Sequence, residues 1–417
     1  MRILLVTLFF LDRTYVGALR WRRLSKYLHE LGWEIDCLTL GPRCEVGKAA
    51  DFDCDVPGVD RVATVPDPGW LRFEMLGWLI QGLPTARRLF LGGRYDAVVT
   101  SSPPAMSAHT VGLCLKSVYG IPWVADYRDY TVDATIVHRV GRTRQRLLRG
   151  MERLYLNHAD IVIGNTERAG RLFMESGAAG EVVVLPNGAD PSDWAGLEPL
   201  RGRGKFRMVH AGRFFKGRTP EPFLEGLRRV RDRRPDLVDG LVFSMVGPFS
   251  DRYNGPHAPE AASAMAKRIG VADLIEVVGP VDHPTALRYM LGADALVLFN
   301  ILGTEVPVIP AKLYEYLHMR RPIFAVQEPG SEADRILETS GMGFGVGSLA
   351  PEGIATALEG FLVRCRGGDG SAPWVEQQAV THRYLSKNLA ARLDSLLRAR
   401  LPGGRGINRG DVAVEIG

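Results

Sequence analysis

Two separated stretches carry residues whose types and spacing suit one chemistry. In Val306-Pro-Val-Ile-Pro-Ala-Lys-Leu-Tyr-Glu-Tyr-Leu317, Pro310 is predicted to open a helix. The backbone N–H groups of Ala311, Lys312 and Leu313 at such a start attract an anion, and Lys312 adds a cation. Glu315 follows one turn later on the same side, where a carboxylate can hold a pair of hydroxyls. In Phe206-Arg-Met-Val-His-Ala-Gly-Arg-Phe-Phe-Lys-Gly-Arg218, a short apolar strand runs into a glycine-bearing loop with Arg213, Lys216 and Arg218. Cations for phosphates and a carboxylate for ribose hydroxyls describe a site for a nucleoside diphosphate sugar. The plainer readings are a solvated loop with scattered arginines and a glutamate on a helix surface.

The elements that must position these residues alternate along the chain. Strands are expected at residues 3–9, 34–40, 95–100, 123–126, 161–163 and 182–185, mostly with helical sequence between them. After the polar stretch 198–205 the pattern restarts at 206–211, 241–246, 275–278, 295–299 and 323–326. Two successive runs of this kind predict an α/β protein of two doubly wound, Rossmann-like domains facing across a cleft. The expected bounds are 1–197 for an acceptor-binding domain and 205–374 for a nucleotide-sugar-binding domain. An amphipathic helix over 375–400 is expected to pack back towards the first domain, followed by a flexible tail over 402–417. Ligands of such sheets sit beyond the carboxyl ends of the strands, so the loops there are the functional ones.

Composition narrows the function. A chain of 417 residues fits two domains of roughly 200 residues each. Hydrophobic content of 46% and charge of 24% are those of a soluble globular protein. The net charge of +5 is small for this length and aromatic and basic residues do not interleave, which excludes nucleic acid as the expected partner. Only eight of the 52 basic residues are lysine, a skew expected from a high-GC genome. The five cysteines are scattered without a C-x-x-C pair and read as reduced cytosolic thiols. No run approaches the ~18 apolar residues of a membrane-spanning helix, and the short apolar opening reads as a buried strand rather than a leader. Residues 70–91 read as a capping helix with a long apolar side, or as a segment dipping into a membrane surface. The arginines at 139, 142, 144, 146, 149 and 153 read as a solvated helix face, or as a contact for anionic lipid or acceptor.

Other patterns fail as sites. Asp51-x-Asp53-x-Asp55 lacks the glycine and glutamate of a calcium loop, having Val56 and Val62 there, and reads as surface acidity. Gly341-Met-Gly-Phe-Gly-Val-Gly347 follows a helix and reads as a turn into a strand. No G-x-G-x-x-G follows the first strand, which argues against a nicotinamide enzyme.

With Pro186-Asn187-Gly188-Ala-Asp190, the loop 212–218, Gly279-Pro-Val281 and Lys312-Leu-Tyr-Glu315 in this order, the chain resembles the retaining glycosyltransferases of the GT-B fold, glycosyltransferase family 4 (group 1). The resemblance spans nearly the whole chain, up to the helix before residue 370. It departs at the first of the two glutamates, eight apart, that the family often carries: counting back from Glu315 gives Pro307. Asp126-Tyr-Arg-Asp129 stands where many members have a His-Asp pair, in the Asp-x-Arg-Asp form of a sister branch.

The resemblance implies a metal-independent, retaining transfer of a sugar from a nucleoside diphosphate donor, with no cofactor. Arg213, Lys216, Arg218, Lys312 and the helix start at Pro310, Ala311 and Leu313 would hold the leaving diphosphate. Gly17 would let backbone approach it, Glu315 would hold the ribose, and backbone near Val281 the base. Ser101, Asp126, Arg128, Asp129 and Asn187 would face the acceptor. Arg128 and Asp129, with Arg218 and Lys312, are the candidate catalytic residues, although an internal ion pair around Asp126–Asp129 is the structural alternative. The expected acceptor is a small soluble molecule of bacterial specialised metabolism, such as an antibiotic precursor, in the cytoplasm. Envelope polysaccharide or lipid is the alternative acceptor. A sugar-nucleotide epimerase or a non-catalytic binder of the same fold is the alternative function. A second copy of the chain is a candidate partner, with at most peripheral membrane contact.

Overall fold

The computed structural model describes residues 1–11, 16–41, 55–66, 76–102, 106–129, 142–202, 205–215, 217–250, 257–301, 308–367 and 374–401. Asp51, Asp53, Arg139, Lys216, Pro307 and the tail 402–417 lie outside these residues. The chain divides into two compact units, Met1–Asn187 with Ser386–Gly417, and Gly188–Leu385.

The first unit is built on seven strands: β1 (Arg2–Thr7), β2 (Glu34–Leu40), β3 (Arg61–Val65), β4 (Ala97–Ser102), β5 (Trp123–Tyr127), β6 (Ile161–Gly164) and β7 (Glu181–Val184). Their order is β3-β2-β1-β4-β5-β6-β7, and every neighbouring pair is parallel. Strands such as AVVTSS in β4 are buried at every position, as a parallel sheet covered on both faces requires. The winding reverses between β1 and β4, which makes their carboxyl ends the place for a ligand. Strand β3 was not among the expected strands.

The second unit has β8 (Phe206–Ala211), β9 (Leu241–Val246), β10 (Ile275–Gly279), β11 (Ala295–Phe299), β12 (Ile323–Val326) and β13 (Gly343–Gly345). Their order is β10-β9-β8-β11-β12-β13, again parallel throughout, with the reversal between β8 and β11. Both units are therefore doubly wound and Rossmann-like.

Two boundaries differ from the expected ones. The first unit ends at Asn187 rather than at 197, because Ala189 is fully buried against the second unit's core, where Trp194 and Leu197 also pack. The Ala189 N–H donates to the Tyr384 carbonyl at 2.9 Å. The expected continuous helix over 375–400 is two pieces. A short turn Gln378–Thr381 belongs to the second unit, and the helix Ser386–Arg400 belongs to the first. That last helix buries Leu389, Leu393 and Leu397 beside Trp21, Leu24 and Leu28 of the helix Val16–Glu30. Trp33 Nε1 fastens it by donating to Asp394 at 2.7 Å.

Among the described residues, no helix is long and apolar enough to cross a membrane. The helix Leu76–Gly92 contains Pro84, and it exposes Ile80 and Leu91 while burying Trp78.

Candidate active site

The second unit's reversal point gathers the cations. Strand β8 ends at Ala211, whose N–H donates to the Tyr316 hydroxyl at 2.9 Å, tying the strand to the helix Lys312–His318. The next residue, Gly212, lies under the Lys312 side chain, and a Cβ there would come within 1.7 Å of Lys312 Nζ. Gly247, after β9, approaches as closely: its Cβ would lie 2.4 Å from the Gly212 carbonyl oxygen. Both glycines adopt positive φ, 155° and 132°, which side-chain-bearing residues rarely do, and at 247 the clash would be with backbone that cannot move aside. Beyond Gly212 the chain folds back on itself, with the Phe215 N–H donating to Arg218 O at 3.0 Å and the Arg218 N–H to Phe215 O at 2.8 Å. Gly217, at φ 97°, makes that turn. The Arg218 guanidinium stacks 5.3 Å from the Phe215 ring centre, and Arg213 is half-exposed on the same loop.

Lys312 rests on a buried imidazole. His210 is fully buried, with Nδ1 2.8 Å from the Val297 carbonyl and Nε2 3.2 Å from Lys312 Nζ. A carbonyl only accepts, so Nδ1 carries the proton and Nε2 offers its lone pair to the lysine. Burial holds His210 well below the ordinary histidine range, with the charges of Lys312 and Arg218 acting in the same direction. Burial likewise pushes Lys312 well below the usual lysine range, aided by Arg218 and opposed by Glu315.

Glu315 is 8% exposed, and His283 Nε2 stands 3.2 Å from its Oε1. The reading of Glu315 as a glutamate on a helix surface is thereby excluded. His283 opens the helix His283–Leu291, whose cap Asp282 accepts from the Thr285 N–H at 2.9 Å. Val281 is exposed on the same loop. The helix at the second stretch begins at Lys312 rather than Pro310, and the Leu313 N–H is taken by the Pro310 carbonyl at 2.9 Å. Leu313 therefore offers no amide to a ligand, while Pro310 is buried and Ala311 half-exposed.

In the first unit the expected acceptor residues separate. Asp126 is fully buried and accepts from Arg20 Nη2 at 2.8 Å, Trp21 Nε1 at 2.7 Å and Ser101 Oγ at 2.8 Å. Arg20 also donates to the carbonyls of Leu185 and Pro186, at 2.9 and 2.8 Å, and reaches Asn187 Oδ1 at 3.4 Å. Asp126 and Ser101 are thus structural, because internal donors surround the carboxylate, and the assignment of both to the acceptor is corrected. Asp126 forms its ion pair with Arg20, 106 residues away. Arg128 is buried, Asp129 is exposed, Asn187 is half-exposed, and Gly17 is half-exposed in the first turn of its helix.

His109 is another buried polar group of the first unit. Trp123 Nε1 donates to Thr100 Oγ1 at 2.8 Å, and that hydroxyl stands 2.7 Å from His109 Nδ1. Burial brings His109 down to about 3, with Asp126 opposing and Arg128 adding to the shift. His210, His283, Tyr316 and Gly247 escaped the sequence reading. The one available signal was His210, a titratable residue in an otherwise mostly apolar strand two positions before the glycine.

Comparisons with known proteins agree with this architecture. Residues 17–188 match the family model described as glycosyl transferase 4-like domain. A D-inositol 3-phosphate glycosyltransferase of Paenarthrobacter aurescens is 26% identical over 54% of this chain and 55% of its own length. One from Kribbella flavida is 28% identical over 63% of each chain. The chain thus spans less than two thirds of those relatives. Sucrose-phosphate synthase from Thermosynechococcus elongatus shares the fold with a TM-score of 0.66 at 16% identity, covering 95% of this chain and 98% of that one. Two Rossmann-like units with the fold of solved glycosyltransferases, and a family match in the first of them, make the chain similar to glycosyltransferases that carry a glycosyl transferase 4-like domain.

Proposed function

We propose that the chain transfers a glycosyl group from a nucleoside diphosphate sugar to a small acceptor, retaining the anomeric configuration and using no metal ion. One observation carries the reading: Lys312 lies over Gly212 at the end of β8, Arg218 closes the turn that follows, and the buried Glu315 carboxylate stands one turn from Lys312. In the reaction the anomeric C–O bond to the diphosphate breaks and a bond to an acceptor oxygen forms. The leaving diphosphate gains negative charge, and Lys312, Arg218 and Arg213 are the groups that would stabilise it. Glu315 would hold the ribose hydroxyls, oriented by His283. The leaving phosphate oxygen would take the acceptor's proton, which removes the need for a protein base. With Lys312 and Arg218 at the phosphates, a metal ion has no required role.

The relatives' names make a phosphorylated polyol the first acceptor to try, alongside small products of bacterial specialised metabolism in the cytoplasm. The test incubates the protein with UDP-, GDP-, dTDP- and ADP-sugars, with and without inositol phosphate, in buffer containing EDTA. Acceptor-dependent release of nucleoside diphosphate, with an unchanged anomeric configuration in the product by NMR, is the expected result. Conversion of the nucleotide sugar to its epimer without any acceptor would identify an epimerase and overturn the proposal. Activity lost in EDTA and restored by Mg²⁺ or Mn²⁺ would overturn its metal-free part.

A further inference from the structure

We propose that His210 is a positioning residue for the donor phosphates, acting through Lys312, which it holds over Gly212 as a neutral, Nδ1-protonated imidazole. The proposal rests on the reading that Lys312 faces a diphosphate, and it adds a residue that neither the sequence motifs nor the relatives assign.

The geometry leaves His210 one role. Its ring is fully buried, between Phe214 at 4.5 Å and Phe299 at 5.0 Å centroid distance, so it cannot reach a ligand itself. Its Nδ1–H is fixed by the Val297 carbonyl at 2.8 Å, which sets the tautomer and leaves Nε2 as an acceptor aimed at Lys312 Nζ, 3.2 Å away. A lysine on a flexible four-carbon stem loses much rotamer freedom when it is held in one place. Here the end of the side chain lies over position 212, where a Cβ would come within 1.7 Å of Nζ, and the imidazole accepts from that Nζ. Among the described residues, the charged and titratable groups acting on Lys312 are His210 from β8, Arg218 from the turn and Glu315 from its own helix, with His283 beyond Glu315. An imidazolium at 210 would repel the ammonium, and burial keeps the ring neutral.

The test compares His210→Leu, which fills the space without an acceptor, with His210→Gln, which brings an amide oxygen to about the depth of Nε2. Calorimetry with UDP, GDP, dTDP and ADP on the full chain reads nucleotide affinity, and thermal melts read stability. His210→Leu is expected to weaken the best nucleoside diphosphate about tenfold, the scale of one hydrogen bond to a charged group. His210→Gln should recover most of that loss, and His210→Leu should cost nothing further in a Lys312→Met background. A purely structural histidine would lower the melting temperature in both variants, without Gln rescue and with a full additional loss in the Lys312→Met background; that pattern overturns the proposal. Should Lys312→Met itself bind nucleotides like the wild type, the phosphate reading fails, and a ligand-free measurement decides the rest. Lysine amines labelled by reductive ¹³C-methylation report the Lys312 titration, with Lys312→Met assigning its signal. His210→Leu should shift that titration to lower pH and His210→Gln should restore it, whereas an identical titration in all three proteins ends the idea.

Discussion

The carboxyl ends of the two sheets share a topology and differ in what fills them. In the first unit, Asp126 at the end of β5 is enclosed by Arg20, Trp21 and Ser101, with the Arg20–Asp126 pair 3% and 0% exposed. In the second, the space beyond β8 is floored by Gly212 and Gly247 and bordered by Lys312 and Arg218, with Glu315 held by His283. A charged residue at a strand end is therefore not in itself a ligand residue. What distinguishes the two is whether internal donors already surround it. The buried histidines repeat the contrast, since His109 bonds Thr100 among aromatic rings while His210 supports a lysine at the loop.

The largest expected effect breaks the first unit. Asp126→Asn leaves the Arg20 guanidinium buried without its counter-charge, a change that costs about 3–5 kcal/mol of stability. Chemical denaturation should read the loss, and nucleoside diphosphate affinity per folded molecule should stay at the wild-type value. A variant with wild-type stability and impaired transfer would return Asp126 to the acceptor. Next comes Arg218→Ala in the second unit. It should fold normally and lose about 2–4 kcal/mol of transition-state stabilisation, read as kcat/KM with the donor. Turnover close to wild type would remove Arg218 from the site. Glu315→Ala should be milder, weakening nucleoside diphosphate by about 1.5–3 kcal/mol, the scale of hydrogen bonds to a charged group. Unchanged calorimetric affinity would refute the ribose role.

The two regions were unequally legible in the sequence. The strands of both sheets stood out because parallel strands covered on both faces read as nearly continuous apolar runs, as in AVVTSS and ALVLF. Strand β3, RVATV, is only partly buried at the sheet's edge and gave a weaker signal. The break near Leu385 is tertiary: residues on either side of it pack into different units, and helical periodicity cannot show that. The cations of the second unit were legible because loop 212–218 and helix 312–318 each carry their own glycine or carboxylate nearby. Asp126 was misread because its partner Arg20 is 106 residues distant, and spacing along the chain holds no trace of such a pair. Pro310 suggested a helix start two residues early, since the bond from the Leu313 N–H to its carbonyl forms a turn before the helix begins. The family model matches residues 17–188, so recognition rests on the first unit while the candidate donor residues lie mostly in the second.

The smallest effect sharpens the comparison through protons. Burial and Arg218 hold free Lys312 well below the usual lysine range, and a bound diphosphate would raise it again by supplying opposite charge. Between the two values, binding takes up a proton, so affinity is complete below the free value and falls as pH rises through the bound one. The slope reaches at most about one log unit per pH unit, or ~1.4 kcal/mol. Apo stability runs the other way. In the interval from the depressed value up to the unfolded one, the unfolded chain binds more protons than the folded chain, so this lysine's contribution to stability rises with pH. Both trends are read as wild type minus Lys312→Met, which cancels the buried tyrosines Tyr127 and Tyr316 that titrate in the alkaline range. Calorimetry of nucleoside diphosphate binding in buffers of different ionisation enthalpy should show proton uptake by the wild type and less by Lys312→Met. Equal uptake by both proteins would place the linked proton elsewhere. The second unit's strand ends would then lose the feature that most sets them apart from the closed network around Asp126.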